Sequence, residues 1–275
     1  MCTGAQIVYT LPAGRPICGV TTLREQIYLL RPKGGRDQVE MYDAITYSLL
    51  SCLTVPNAKG FTDMTSCEHF LCLYISDPDS ECVHRLDLQR NARKWPVSDR
   101  PCGLSVNAEH NLIVTCRKVR KIKEFSPRGD LLRDVTLPDD VINPWHTIQL
   151  TSGQFIVCHG NTDDQVHRVC MVSTDGHRIV HSYGGQRGSD TGQYNRPAHL
   201  AVDDNEFVFV ADVNNQRVTL LSPTLYYVRQ VVSRDLVKWT PWTVCLDDQR
   251  RRLYVGDNEF KGGKLTAGRV VVFSV

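Results

Sequence analysis

Long apolar runs are absent from the 275-residue sequence: those present, such as Val270-Val271-Val272-Phe273, are strand-sized. A membrane-spanning helix needs roughly 18 consecutive apolar residues, so no span is expected. No Cys-x-x-Cys pair occurs among the 11 cysteines, an odd number in a chain far too long for a small disulfide scaffold. Free thiols in a reducing compartment are therefore expected. There is no Asn-x-Ser/Thr acceptor, and the opening Met1-Cys2-Thr3-Gly4-Ala5-Gln6 lacks a basic segment followed by a long apolar one. These absences predict an unsecreted, cytoplasmic protein. An excess of either charge is also lacking, with 32 Lys+Arg against 30 Asp+Glu and a formal net charge of +2. That balance argues against a dedicated nucleic-acid coat or a strongly basic membrane-surface protein, while leaving local patches open. What is present, 41% hydrophobic and 23% charged residues, is the composition of an ordinary globular protein and excludes disorder and collagen-like repeats. The length alone allows one large domain or two of about 130 residues.

A repeat runs through the chain. A prolyl start followed by a small or apolar strand recurs at Pro16, Pro101, Pro144, Pro197 and Pro241, with spacings of 85, 43, 53 and 44. The first gap is two periods of about 42, which places an unmarked unit near residue 61, where Phe61-Thr62-Asp63-Met64 lacks the proline. About 11 residues after each start begins a short apolar strand, among them Cys72-Leu73-Tyr74-Ile75, Phe155-Ile156-Val157 and Phe207-Val208-Phe209-Val210. Third and fourth strands follow, separated by turn sequences such as Ser126-Pro127-Arg128-Gly129-Asp130 and Ser173-Thr174-Asp175-Gly176. No amphipathic helix is evident. Four short strands per unit is the signature of a propeller blade, each small sheet covering both faces with its neighbours. The prediction is all-β: one six-bladed β-propeller over residues 1–275, with four-stranded antiparallel blades starting near 16, 61, 101, 144, 197 and 241. The last unit ends after its third strand, and residues 6–11 supply an orphan strand that completes it and closes the ring.

The fifth unit carries the most specific motif. It combines Gly184-Gly185, then Asn195-Arg196-Pro197-Ala198-His199-Leu200-Ala201-Val202-Asp203, then Ala211-Asp212-Val213-Asn214-Asn215-Gln216-Arg217-Val218, and it resembles an NHL repeat. The resemblance is strong for that unit and elsewhere rests on periodicity; Tyr254-Val255-Gly256-Asp257-Asn258 keeps half the hinge. It implies a six-bladed ring used as a binding platform, as at the carboxyl end of tripartite-motif ubiquitin ligases, where it would recognise a substrate or partner. The chain has neither RING or B-box zinc spacing nor coiled-coil heptads, so ligase activity does not carry over.

With strands alternating in direction, the loop entering strand one and the hairpin between strands two and three lie at one end of the ring and form the expected binding rim. Arg15, Arg100 and Arg196 stand at entry positions; Asp77 to Ser80, Arg117 to Arg120, His159 to Asp164, Asp212 to Gln216 and Asp257 to Lys261 form the hairpins. Asp212, Asn215 and Arg217 are expected to fix a hinge structurally, through an ion pair across it. The basic run Arg117-Lys118-Val119-Arg120-Lys121-Ile122-Lys123 offers phosphate contacts on one sector, against the plainer reading of a solvated hairpin. Trp145 and Trp242 follow their prolines directly and offer stacking surfaces, although packing between blades explains them more simply. His146 and His199, two residues after their prolines, point toward the channel and are weak metal candidates, since Cys18, Gly103 and Thr243 do not repeat the histidine. Some enzymes with related rings hold a metal there. Cys67-x-His69-x-x-Cys72 reads as buried thiols before a zinc site. No catalytic residue, resident metal or cofactor is assigned. The expected function is a non-catalytic, monomeric protein-binding scaffold; single-stranded RNA binding through Arg100, Arg117, Lys118, Arg120 and Arg196 is the alternative, and a metal-dependent hydrolase or lyase the third reading.

Overall fold

A computed structural model describes residues 5–31 and 38–275. The first four residues, read above for a leader, lie outside this set. The chain forms six four-stranded antiparallel sheets arranged as a ring, the all-β propeller expected from the repeat. Helix is confined to two short 3-10 turns among the described residues, Arg117–Val119 and Val213–Asn215.

Blade 1 is built from Gly19–Leu23, Gln26–Leu30, Val39–Asp43 and Leu49–Leu53, and blade 2 from Asp63–Cys67, Cys72–Asp77, Cys82–Asp87 and Ala92–Pro96. Blade 3 has Leu104–Val106, Leu112–Cys116, Lys121–Phe125 and Leu131–Thr136; blade 4 has Pro144–Gln149, Phe155–His159, Val166–Val172 and Ile179–Gln186. Blade 5 has Pro197–Val202, Val208–Asp212, Arg217–Leu221 and Tyr227–Val232. Thr240–Asp247, Arg252–Lys261 and Lys264–Ser274 make the first three strands of blade 6, and Gln6–Thr10 makes its fourth.

Burial falls from the second strand outward, and the sequence pattern follows it. Leu112–Cys116, Phe155–His159 and Val208–Asp212 are buried at every residue, whereas Gln6–Thr10 and Leu131–Thr136 are mostly exposed. A second strand has a neighbouring blade on each face, so it reads as a continuous apolar run instead of an alternating one. The apolar interior divides into six clusters, each shared by two adjacent blades. Cohesion therefore comes from every blade having both neighbours.

The ring closes twice. Gln6–Thr10 pairs antiparallel with the last strand, Ile7 opposite Phe273 and Thr10 opposite Val271, with a bulge between Ile7 and Tyr9. Just inside, the buried Asn258 carboxamide of blade 6 accepts from Ile17 N at 2.8 Å and donates to Ile17 O at 2.7 Å, where the chain enters blade 1. Tyr9 also stacks on Tyr47 of blade 1, ring centroids 4.6 Å apart.

Candidate functional site

In blades 2, 5 and 6 the rim is held by a buried aspartate on the second strand, Asp77, Asp212 or Asp257. In blade 5, Asp212 is fully buried and accepts from Asn195 N at 2.8 Å, Asn215 Nδ2 at 2.7 Å and Arg217 Nε at 2.8 Å. Blade 6 repeats this with Asp257, which accepts from Lys238 N, Trp239 N and Arg269 Nε at 2.9–3.0 Å. In blade 2, Asp77 accepts from Lys59 N, Gly60 N and Ser80 N and faces His84 Nε2 at 3.2 Å. Each carboxylate ties down the loop arriving from the preceding blade, because buried backbone N–H groups there need an acceptor. This corrects part of the expected rim: Asp77, His159, Asp212 and Asp257 do not face solvent.

His159 occupies that position in blade 4 and stays neutral. Its Nε2 accepts from Arg168 Nε at 3.1 Å, with Cys170 Sγ at 3.5 Å and Asp164 and His167 nearby. Burial, followed by the Arg168 charge, pushes the imidazole down to about 3. A base whose folded pKa lies below the unfolded value of 6.5 contributes fully above that pH, and the contribution is lost as pH falls toward 3. The loss amounts to at most about 1.4 kcal/mol per pH unit. Buried His84 and His167 are shifted in the same direction by desolvation. Melting temperature is thus expected to fall between about pH 6.5 and about pH 5, and His159→Gln should flatten that slope; an unchanged slope in the variant would refute the assignment.

At the ring centre, six equivalent positions face the axis: Cys18, Asp63, Gly103, His146, His199 and Thr243. Three of them meet. The Asp63 carboxylate accepts from Met64 N and from Leu104 N, both at 2.8 Å, and lies 3.2 Å from His199 Nε2 and 3.6 Å from His146 Nε2. The imidazoles are 4.0 Å apart between centroids, and His146 Nε2 points at Leu104 O at 2.9 Å. Burial, followed by the neighbouring His199, pushes His146 down to about 3, so it is neutral. Asp63 is the partner that the reading of His146 and His199 lacked. It sits two residues into the unit without a proline, and the same offset counted from residue 61 identifies it.

Two imidazoles and a carboxylate form a donor set that divalent metals use. Here most of the donor atoms are already engaged: His146 Nε2 faces a carbonyl and so carries a proton, both Asp63 oxygens accept backbone N–H bonds, and only His146 Nδ1 is buried without a partner. The arrangement fits a hydrogen-bonded plug joining blades 2, 3, 4 and 5 better than a metal centre.

The plug divides the channel. On the rim side lies a cavity of about 440 Å³, whose walls include Phe61, Cys102, Trp145, Trp242, Phe260 and Leu265, with Asp63 and His199 below. A second cavity of about 360 Å³ opens at the other end and is lined partly by Thr21, Ser66, Ser105 and His146. At the rim-side mouth, guanidinium and indole groups alternate. The Arg117 guanidinium lies 3.9 Å over Trp145, and that of Arg196 lies 4.8 Å from Trp145 and 4.7 Å from Trp242. Trp242 reaches on to Phe260 at 6.2 Å.

The remaining expected rim residues are dispersed. Arg100 pairs with Asp79 at 2.9 Å and Arg120 with Asp139 at 2.8 Å; Lys118 is exposed, and the Arg15 carbonyl accepts from Arg31. The basic run does not form a continuous phosphate surface, because Lys123 is buried against Asp99 at 2.7 Å. Cys67 and Cys72 are buried free thiols, whereas His69 lies outside them, stacked on His110.

No protein-family model matches the chain, and no curated protein is a significant match. Solved structures are similar in fold. Virginiamycin B lyase from Staphylococcus aureus superposes with a TM-score of 0.65 at 8% identity, covering 98% of each chain. The Cps50 (Swd1) β-propeller domain of Myceliophteria thermophila gives 0.65 at 13% identity, covering 98% of this chain and 99% of that one. The PQQ-bound aldose sugar dehydrogenase of Streptomyces coelicolor gives 0.65 at 12%, covering 98% of each. The shared property is the propeller fold, which these structures use both in enzymes and in a propeller domain named for its own protein. No helix among the described residues is long and apolar enough to cross a membrane.

Proposed function

We propose that the chain is a non-catalytic binding propeller of the NHL-like kind, which receives a protein partner at the end of the ring bearing Trp145, Arg196, Trp242 and Phe260. The observation that carries this reading is the alternating guanidinium and indole mouth above an aromatic-walled cavity. Trp and Arg dominate protein-binding hot spots because they combine large apolar area with directed polar groups, and a cavity of this size admits one anchoring side chain. Phe260, 41% exposed, extends the apolar contact outward. The Nε2 atoms of both plug imidazoles face acceptors within the ring, which supports binding over catalysis. Arg100 and Arg120 are already paired with acids, which favours protein over single-stranded RNA. Buried thiols such as Cys67, Cys72, Cys158 and Cys170 support a reducing setting.

Affinity capture with the intact chain tests the reading. Partners held by the wild type are expected to be lost from Trp242→Ala and Phe260→Ala, by about tenfold or more in affinity, and retained by Glu68→Lys at the opposite end. Partners insensitive to both rim variants would overturn it. Retention of RNA that weakens steeply with salt would replace it with the nucleic-acid reading.

A further inference from the structure

Arg196 is a cation without a counter-ion. Its guanidinium lies against both Trp145 and Trp242, yet it makes no side-chain hydrogen bond or ion pair among the described residues, and its Nε is buried without a partner. Every other guanidinium expected on the rim whose contacts are described above has a polar partner: Arg100 has Asp79, Arg120 has Asp139, and Arg117 donates to Asn143 at 3.3 Å. Arg117 lies against the same Trp145 ring, so two positive charges share one indole. Burial, followed by the Arg117 charge, pulls Arg196 down to about 10. An anion at the mouth would relieve both penalties, since an ionised acceptor makes the strongest hydrogen bonds available to a guanidinium fork.

The cavity orients such a ligand. Its walls are aromatic and apolar apart from Thr62 and Lys264, and its floor carries the Asp63 carboxylate, which repels negative charge. An anion is therefore stable only at the mouth, with an apolar body pointing inward. We propose that the Arg196 guanidinium, supported by Arg117, receives an oxyanion attached to an aromatic or apolar group seated in the rim-side cavity. This rests on the binding reading above and gives the partner's anchor a chemistry: an acidic or terminal carboxylate beside a large apolar side chain.

Calorimetric titration of the intact chain with N-acetylphenylalanine, its uncharged amide and phenyl phosphate tests the inference. The acid is expected to bind about tenfold more tightly than the amide, which shares its shape and lacks its charge. Arg196→Met should abolish that discrimination and Arg196→Lys should keep part of it, with unfolding temperatures showing that both variants fold. Stronger binding of phenyl phosphate would assign the oxyanion to phosphate, and weaker binding would assign it to carboxylate. Equal affinity for acid and amide, no binding of the acid at millimolar concentration, or a preference that survives Arg196→Met would overturn the proposal. Partner capture separates the two levels. Loss in Trp242→Ala with retention in Arg196→Met leaves the rim reading standing without the anion, whereas retention in both removes the rim itself.

Discussion

Replacing Asp63 with alanine is expected to cost about 3–5 kcal/mol of stability, the loss that follows when one partner is removed from a buried charged network. The residue is 3% exposed, and its carboxylate is the acceptor for two backbone N–H groups and faces two imidazoles. Alanine leaves Met64 N and Leu104 N without a partner in the dry centre of the ring, each worth about 1–3 kcal/mol. It also frees His199 from the group that holds it. In a chain of this size a kilocalorie corresponds to about 2–4 °C in Tm, so thermal unfolding should shift down by roughly 6–20 °C. Asp63→Asn keeps one carbonyl oxygen and should fall between the two. A shift below about 2 °C for Asp63→Ala would mean that blades 2 to 5 do not depend on the plug.

The second large effect is expected from removing residues 1–10. The strand they provide is itself exposed and buries little, but it covers the edge of Lys264–Ser274, whose Val270, Val271, Val272 and Phe273 are fully buried. Without it the ring has an open, long and apolar edge strand, a template for pairing with another copy. Size-exclusion chromatography should show the truncated chain aggregating where the full chain elutes as a single small species. A peptide spanning residues 5–12 added in trans should restore the unaggregated form by strand addition. A truncated chain that stays unaggregated with an unchanged Tm would show that Asn258 and Leu11 close the ring unaided.

The residues differ in how much they disclosed by themselves. Blade number and closure were legible because a propeller repeats its strands along the chain: Leu112-Ile113-Val114 and Val208-Phe209-Val210 occupy equivalent places and carry equivalent patterns. The pairing of Asp212 with Arg217 was legible for a similar reason, since two ends of one hairpin are near in sequence and in space. Asp63 was hidden among three residues that resemble nothing catalytic, because its unit lost the proline that marks the others. His199 lies 136 residues from it, and only ring closure makes them neighbours.

What the sequence determined by itself was the periodic part: an all-β ring of six four-stranded blades, sealed by the strand near the amino terminus, from a chain with no long apolar run and almost no net charge. Hydrophobic spacing and turn chemistry act over a few residues and leave their record locally. The tertiary structure decided which charges meet. It buried Asp77, His159 and Asp212 under the rim, neutralised Lys123 with Asp99, and left Arg196 against two indoles without an acid. Those outcomes depend on desolvation and on distances between side chains from different blades, and folding alone sets them.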